Sequence, residues 1–385
     1  MSATATTEKK YLKWYQKLAY GSGDLASNCS YGLVSSFVLL YLTGTLGLDS
    51  AIIGSLMLAS KVLDGISDVI FGTLIDRTHS KLGKARPWML FGQVGVSLCL
   101  FLLFAIPAGS TTMQYIYFFI VYTALNAVFY TANGIAYSSL VALITKNNNE
   151  RVQLGSFRFM FAVVTNIFMG FAVTGMVEKF GSGAAGWRTT ALIFAIVGLV
   201  VNTISCLAVK ELPEEELSGN TSEAAEEGKA VAEEKKHGFA ETAKILVHNK
   251  YYLMILAIYI VYYIMSNLTT GAGVFCATYY WGDGSLLGQF SMMKMFPVII
   301  ALAIAPVLIK KTGSMQKVNF WGYAISSVLG IPMIYFAMQK NLSMFLLFMF
   351  IKGIFAGTLS GSLNALIAEA SGYTTRTTGV HMDGM

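Results

Sequence analysis

Apolar runs of about twenty residues recur along the chain from Val34 onward, each broken by a short polar or basic segment. Ten such runs stand out, at residues 20–46, 51–75, 88–107, 113–143, 154–176, 187–209, 250–270, 285–309, 318–338 and 342–370. An α-helix rises about 1.5 Å per residue, so roughly twenty apolar residues cross a ~30 Å hydrocarbon layer. The pattern predicts an all-α, polytopic membrane protein. Composition agrees, with 55% hydrophobic and 12% charged residues, the latter about half the share found in soluble domains.

One segment breaks the pattern. Glu211 to Lys250, "ELPEEELSGNTSEAAEEGKAVAEEKKHGFAETAKILVHNK", is polar and charged, and its first part is too poor in apolar residues to fold alone. Its end, Phe239 to Val247, predicts a short amphipathic helix on the membrane face. The segment separates six spans from four. The expected organisation is an N-terminal tail over 1–19, a six-helix bundle over 20–210, a cytoplasmic linker over 211–249 and a C-terminal bundle over 250–385.

Basic residues concentrate in cytoplasmic loops of membrane proteins. With the N-terminus inside, twenty Lys and Arg residues fall on the cytoplasmic face and three, Lys179, Arg188 and Lys340, on the outer face. The expectation is a multi-pass protein of the cell membrane (plasma or inner) with its N-terminus in the cytoplasm. The net charge of +6 is then a topology signal that needs no nucleic-acid partner. Cys29, Cys99, Cys206 and Cys276 lie singly in spans, and the four histidines fall in loops without ligand spacing. They suggest neither a disulfide framework nor a resident metal site. The chain shows no nucleophile–base pair and no phosphate loop, so it reads as neither an enzyme nor a cofactor protein.

Four basic residues stay within spans: Lys61, Arg158, Lys294 and Lys352. Asp64 and Asp68 are the acids that do so most clearly, with Asp24 nearer a helix end. The span from Ala51 to Ile75 is about 37 Å of helix, which puts Asp64 about 20 Å from the outer end and Asp68 about one turn deeper. Each carboxylate facing lipid would cost about 3 kcal/mol. Positions 61, 64 and 68 are three and four apart and share one helix face. Two readings follow. Either the three charges neutralise one another and lock helices together, or the two carboxylates hold a small cation or exchange a proton. Two anions against one lysine leave a net negative site, which favours the second. Beyond Asp76, the basic loop of Arg77, Lys81, Lys84 and Arg86 leads into Pro87-Trp88. It reads as a topology anchor and also as a charged latch between helix ends, formed by Asp76, Arg77, Lys84 and Arg86. A shift of 234 positions sets this helix against Gly288 onward, where Val298 and Leu302 replace the two aspartates. Repeats of this kind, joined by a long central loop, are typical of transporters built from two halves.

"YGSGDLASN" around Asn28, the Asp64–Asp68 pair, "DRTHSKLGKARPW" and "RFMF" at Arg158 resemble the glycoside-pentoside-hexuronide:cation symporters. These form the melibiose-permease-like branch of the major facilitator superfamily. The resemblance covers the first half well and continues through "NALIAEASGY". It implies a major facilitator fold whose C-terminal half, at about four helices, lacks the last two. It also implies cation-coupled symport (Na⁺ or H⁺) of a sugar or glycoside by alternating access. Asp64, Asp68 and Ser67 would then form the coupling-cation site, and Asn28, Asn133, Tyr137 and Arg158 would bind the sugar. Differences from the melibiose permease at Asn28, Asn133 and Tyr137 mean that its galactoside specificity is not carried over. The alternative is a non-transporting sensor or partner-binding protein on a shortened transporter scaffold.

Overall fold

The computed structural model of the protein describes residues 10–213 and 250–358. Their regular structure is helical throughout, and the expected spans appear in order. The first is α1 (Trp14–Gly21) and α2 (Gly23–Leu40), running on as a π-helical turn over Tyr41–Thr45. Then come α3 (Ser50–Asp76) and α4 (Arg86–Leu103). The fourth span is α5 (Thr111–Thr123), a π-helical segment at Ala124–Tyr130, and α6 (Thr131–Ile144). Helices α7 (Asn148–Lys179) and α8 (Gly183–Ala208) complete the first half. The second half comprises α9 (Lys250–Phe275) with a π-helical end at Cys276–Tyr280, α10 (Leu286–Thr312), α11 (Met315–Met338) and α12 (Leu342–Thr358). The helices that the 234-residue shift sets opposite each other, α3 and α10, are both 27 residues long.

Local chemistry sets the ends. Asp49 caps α3 by accepting from the N–H groups of Ala51 and Ile52 at 2.8 and 3.1 Å. Ser110, Asn147 and Ser314 cap α5, α7 and α11 in the same way. Such caps satisfy donors that the helix itself leaves unpaired. Pro87 opens α4 where its missing N–H costs nothing. Two boundaries differ from expectation. Residues 14–19, expected in the tail, are helical, because α1 packs on α7 and α8 before the chain bends at Ser22. Glu211, expected in the linker, docks on the first half, as described below. The remaining linker, the amphipathic segment at Phe239 to Val247, and "NALIAEASGY" lie outside the described residues.

The first half holds together through close backbone approach and buried polar pairs, as helices in lipid must. A Cβ on Gly21 would sit 2.6 Å from Phe157 Cβ, and one on Gly23 would sit 2.8 Å from the Tyr137 ring. That explains "YGSG": the bend at Ser22 brings backbone against two aromatic residues. Between helices, Asn202 donates to the Met89 carbonyl, Ser97 to that of Ala195 and Ser205 to that of Tyr20, at 2.8–3.0 Å. Outward-facing apolar residues are bare, with Val69 71% and Phe91 72% exposed. That surface suits hydrocarbon and no aqueous solvent.

Two buried or half-buried carboxylates tie loops at the end of the bundle where the chain begins. Glu150, 2% exposed, accepts from the backbone N–H groups of Tyr11 and Leu12, from Thr145 Oγ1 at 2.7 Å, and pairs with Lys17 at 3.0 Å. Glu211 accepts from the N–H groups of Lys84, Ala85 and Arg86 at 2.7–3.0 Å, at the positive end of α4. Arg86 in turn donates to the carbonyls of Cys206 and Leu82. Of the expected latch residues, Lys84 and Arg86 are thus held within the first half, while Asp76 and Arg77 lie exposed at the end of α3.

The second half forms a compact unit of its own. Within it, Lys294 on α10 donates to Thr270 Oγ1 on α9 at 2.8 Å, and Lys340 lies over the Tyr280 ring and bonds the Tyr280 carbonyl.

Removing the Glu150 carboxylate leaves Lys17, itself 8% exposed, without its counter-charge. Breaking a buried pair from one side costs about 3–5 kcal/mol. Glu150→Ala should therefore lower the Tm of purified protein in detergent markedly. Val152→Ala, at a 70% exposed position two residues on, should leave it within about 0.5 kcal/mol of wild type. Equal Tm values for Glu150→Ala and wild type would show that the tie is not structural.

Candidate functional site

A cavity of about 580 Å³ opens inside the first half, lined from α2, α3, α6 and α7 and by the end of the π-helical segment. Its volume suits a small molecule of one or two rings. Two charged clusters face it.

The first is on α3, where Lys61, Asp64 and Asp68 all line the cavity, as their spacing predicts. Lys61 Nζ lies 2.9 Å from Asp64 Oδ2. Asp64 Oδ1 lies 2.6 Å from Thr131 Oγ1, which is also 2.9 Å from the Asn126 carbonyl. That five-residue spacing is the π-helical register, so the wide turn aims Thr131 at the acid. A lone hydroxyl hydrogen cannot serve both acceptors at once, so Thr131 has oxygen lone pairs and a choice of acceptor beside Asp64. Asp68 makes no hydrogen bond or ion pair among the described residues. Ser67 donates to the Asp64 carbonyl at 2.8 Å on its own helix and is not among the lining residues.

The second cluster joins α2, α6 and α7. Arg158 Nε bonds Asp24 Oδ2 at 2.5 Å, and the guanidinium carbon lies 4.2 Å from the centre of the Tyr137 ring. Tyr137 is held in turn by Tyr20: each hydroxyl donates to the other's carbonyl, at 2.5 and 2.8 Å, with ring centres 4.7 Å apart. Arg158 therefore does not snorkel out of the bundle. Asn28 also lines the cavity; its amide donates to the Asp24 carbonyl at 2.7 Å and accepts from Asn166 at 3.0 Å. Tyr31 and Tyr130 stack with centres 4.9 Å apart and form an aromatic wall, with Lys61 Nζ 5.7 Å from the Tyr31 centre.

The structure brings together Asp64, Asp68, Asn28, Tyr137 and Arg158. It does not bring Asn133, which is 2% exposed and donates to Gln93 Oε1 on α4 at 2.8 Å. The reason is helical register. At about 100° per residue, Thr131, Gly134, Ile135 and Ser138 share the cavity face, Tyr137 sits at its edge and Asn133 lies about 200° from Thr131. Among the lining residues missed by sequence reasoning are Asp24, Tyr31, Tyr130, Thr131, Ser138 and Ser139. Asp24 had a signal: an acid and Arg158 both inside apolar spans need partners. Thr131 had none, because the π turn that aims it is invisible in composition.

The uncharacterized symporter YnaJ of Bacillus subtilis (strain 168) is 26% identical over 380 residues, 98% of this chain and 78% of that protein. The isoprimeverose transporter of Lactiplantibacillus pentosus is 24% identical over 381 residues, 98% of this chain and 76% of that protein. Among solved structures, a crystal structure of the nucleoside transporter NupG superposes with a TM-score of 0.60 at 15% identity, covering 94% of this chain and 87% of that one. That likeness shows a shared fold, which the family match below places as the major facilitator fold. The MFS/sugar transport protein family matches residues 19–385. Seven helices long and apolar enough to cross a membrane among the described residues, a polar cavity in the first half and this match identify the chain as a multi-pass membrane transporter and not an enzyme, and it belongs to the MFS/sugar transport protein family.

Proposed function

We propose that the protein is a secondary active transporter of the cell membrane, N-terminus in the cytoplasm, that carries a neutral sugar or glycoside together with Na⁺ or H⁺ by alternating access. The observation that carries this reading is the charge balance of the cavity. Asp24, Asp64 and Asp68 face it against Lys61 and Arg158, which leaves one net negative charge. Each cation already has a carboxylate, at 2.9 and 2.5 Å. Asp68 is the carboxylate left over, about one helical turn from Asp64. A single monovalent cation, or a proton, would complete the set. The Asp64 and Thr131 oxygens offer it hard ligands beside Asp68, of the kind alkali and alkaline-earth cations take.

The rest of the cavity suits a neutral sugar. Such a ligand needs donors and acceptors to fix its hydroxyls and a flat apolar face to lie on. Asn28, Ser138 and Ser139 supply the first, and the stacked pair of Tyr31 and Tyr130 supplies the second. The isoprimeverose transporter, by its name a carrier of a sugar, is consistent with this class. Cation and sugar would share one cavity, with α3 and the start of α6 contributing the ion ligands, and α2, α6 and the end of the π-helical segment the sugar contacts. Each would then alter the field the other meets, which is the physical basis for coupling.

Asp68→Asn should abolish accumulation of labelled glycoside in proteoliposomes driven by a Na⁺ or pH gradient, while gradient-free exchange persists. Running the two gradients separately on the wild type identifies the coupling ion. Undiminished accumulation in Asp68→Asn would sink the cation site.

Asn28 and Asn133 should separate by role. Asn28→Ala removes a cavity hydrogen bond and should weaken glycoside binding about fivefold. Asn133→Ala strands Gln93, and should lower stability by about 1–3 kcal/mol with affinity unchanged. Isothermal titration and thermal unfolding of the purified variants read the two effects, and a reversal of the pattern would show that the sugar lies elsewhere.

A further inference from the structure

Asp24 follows the bend at Ser22, where Gly21 and Gly23 let the backbone close on Phe157 and Tyr137. Its carboxylate meets Arg158 Nε at 2.5 Å, with the Tyr137 hydroxyl 3.3 Å from the same oxygen. The guanidinium is thus clamped between a carboxylate and an aromatic face, 4.2 Å from the ring centre. Both side chains still open onto the cavity, with 26% and 17% of their surfaces exposed for Arg158 and Asp24.

A guanidinium is the side chain best shaped to grip a ligand's carboxylate, through two parallel hydrogen bonds. Here one donor of that fork, Nε, is already engaged by the Asp24 carboxylate. The cavity's other cation, Lys61, is likewise engaged by Asp64, while Asp68 adds an unbalanced negative charge. A sugar acid entering the cavity would have to compete with Asp24 for Arg158 and would meet a surplus of negative charge. A neutral sugar meets neither obstacle.

We propose that Asp24 sets the charge selectivity of this cavity: by pairing with Arg158 it withholds the guanidinium from carboxylate-bearing sugars and reserves the site for neutral ones. The inference rests on the glycoside reading above. It assigns Asp24 a role distinct from simple neutralisation of a charge at membrane depth. A neutraliser alone would change stability and leave the preference among ligands untouched.

The test uses two probes that differ only at the sixth carbon, methyl β-D-glucoside and methyl β-D-glucuronide. Each is titrated into full-length protein in lipid nanodiscs, and the readout is the ratio of their affinities. Wild type should prefer the glucoside. Asp24→Asn should move the ratio toward the glucuronide by about tenfold or more, the scale of one charge-assisted hydrogen bond. Asp24→Glu should keep the wild-type ratio, and Asp24→Asn combined with Arg158→Gln should abolish the gain. If Asp24→Asn does not elute as a single species on size exclusion, Asp24→Ser carries the same expectation. An unchanged ratio in the folded neutral variants, or a wild type that prefers the glucuronide, overturns the inference and leaves the sugar reading standing. Failure of both probes to bind wild type and variants alike would defeat the sugar reading and the inference with it.

Discussion

A charge at membrane depth must find a partner or water, because hydrocarbon offers it neither. That constraint organises the first half of this protein. Lys61 pairs with Asp64 and Arg158 with Asp24 inside the spans, and Lys17 pairs with Glu150 at the loop end of the bundle. The first pair lies within one helix and the second joins α2 to α7. The third reaches from α1 to the start of α7. Around the first two pairs the helices stand apart enough to leave a cavity of about 580 Å³, into which Asp68 also opens. Surplus carboxylate and cavity belong together, since Asp68 would be costly anywhere drier.

Precision around the cavity comes from irregular helix. The helix break at Ser22 precedes Asp24, which meets Arg158, and the π-helical segment at Ala124–Tyr130 sets Tyr130 against Tyr31 and Thr131 against Asp64. An unbroken α-helix would rotate those side chains by tens of degrees. π-helical turns recur at functional sites for this reason: they re-aim a few residues without dissolving the helix. The wall behind them is conventional membrane packing, in which Asn133 and Gln93 bond each other and small residues let backbones approach.

The two halves differ in chemistry more than in outline. Helices α3 and α10 match in length, yet Val298 and Leu302 stand where α3 has Asp64 and Asp68. Among the described residues of the second half, Lys294 is answered by a hydroxyl, that of Thr270. Between these two equivalent helices, the acidic pair is present on α3 alone.

Most of the architecture was legible in the chain. Hydrophobic length determined ten helices and the multi-pass topology, because crossing lipid without satisfied backbone bonds is forbidden. Spacing alone put Lys61, Asp64 and Asp68 on one face, because three and four residues are one helical turn. The tertiary structure decided what lies opposite that face. It set Thr131 against Asp64, turned Asn133 away toward Gln93, and joined Asp24 to Arg158 across 134 residues of sequence. Those outcomes depend on a bend, a π turn and the rotation of α6 about its axis. Each is a matter of a fraction of a helical turn, fixed by packing among neighbours and not written in the periodicity of any one segment.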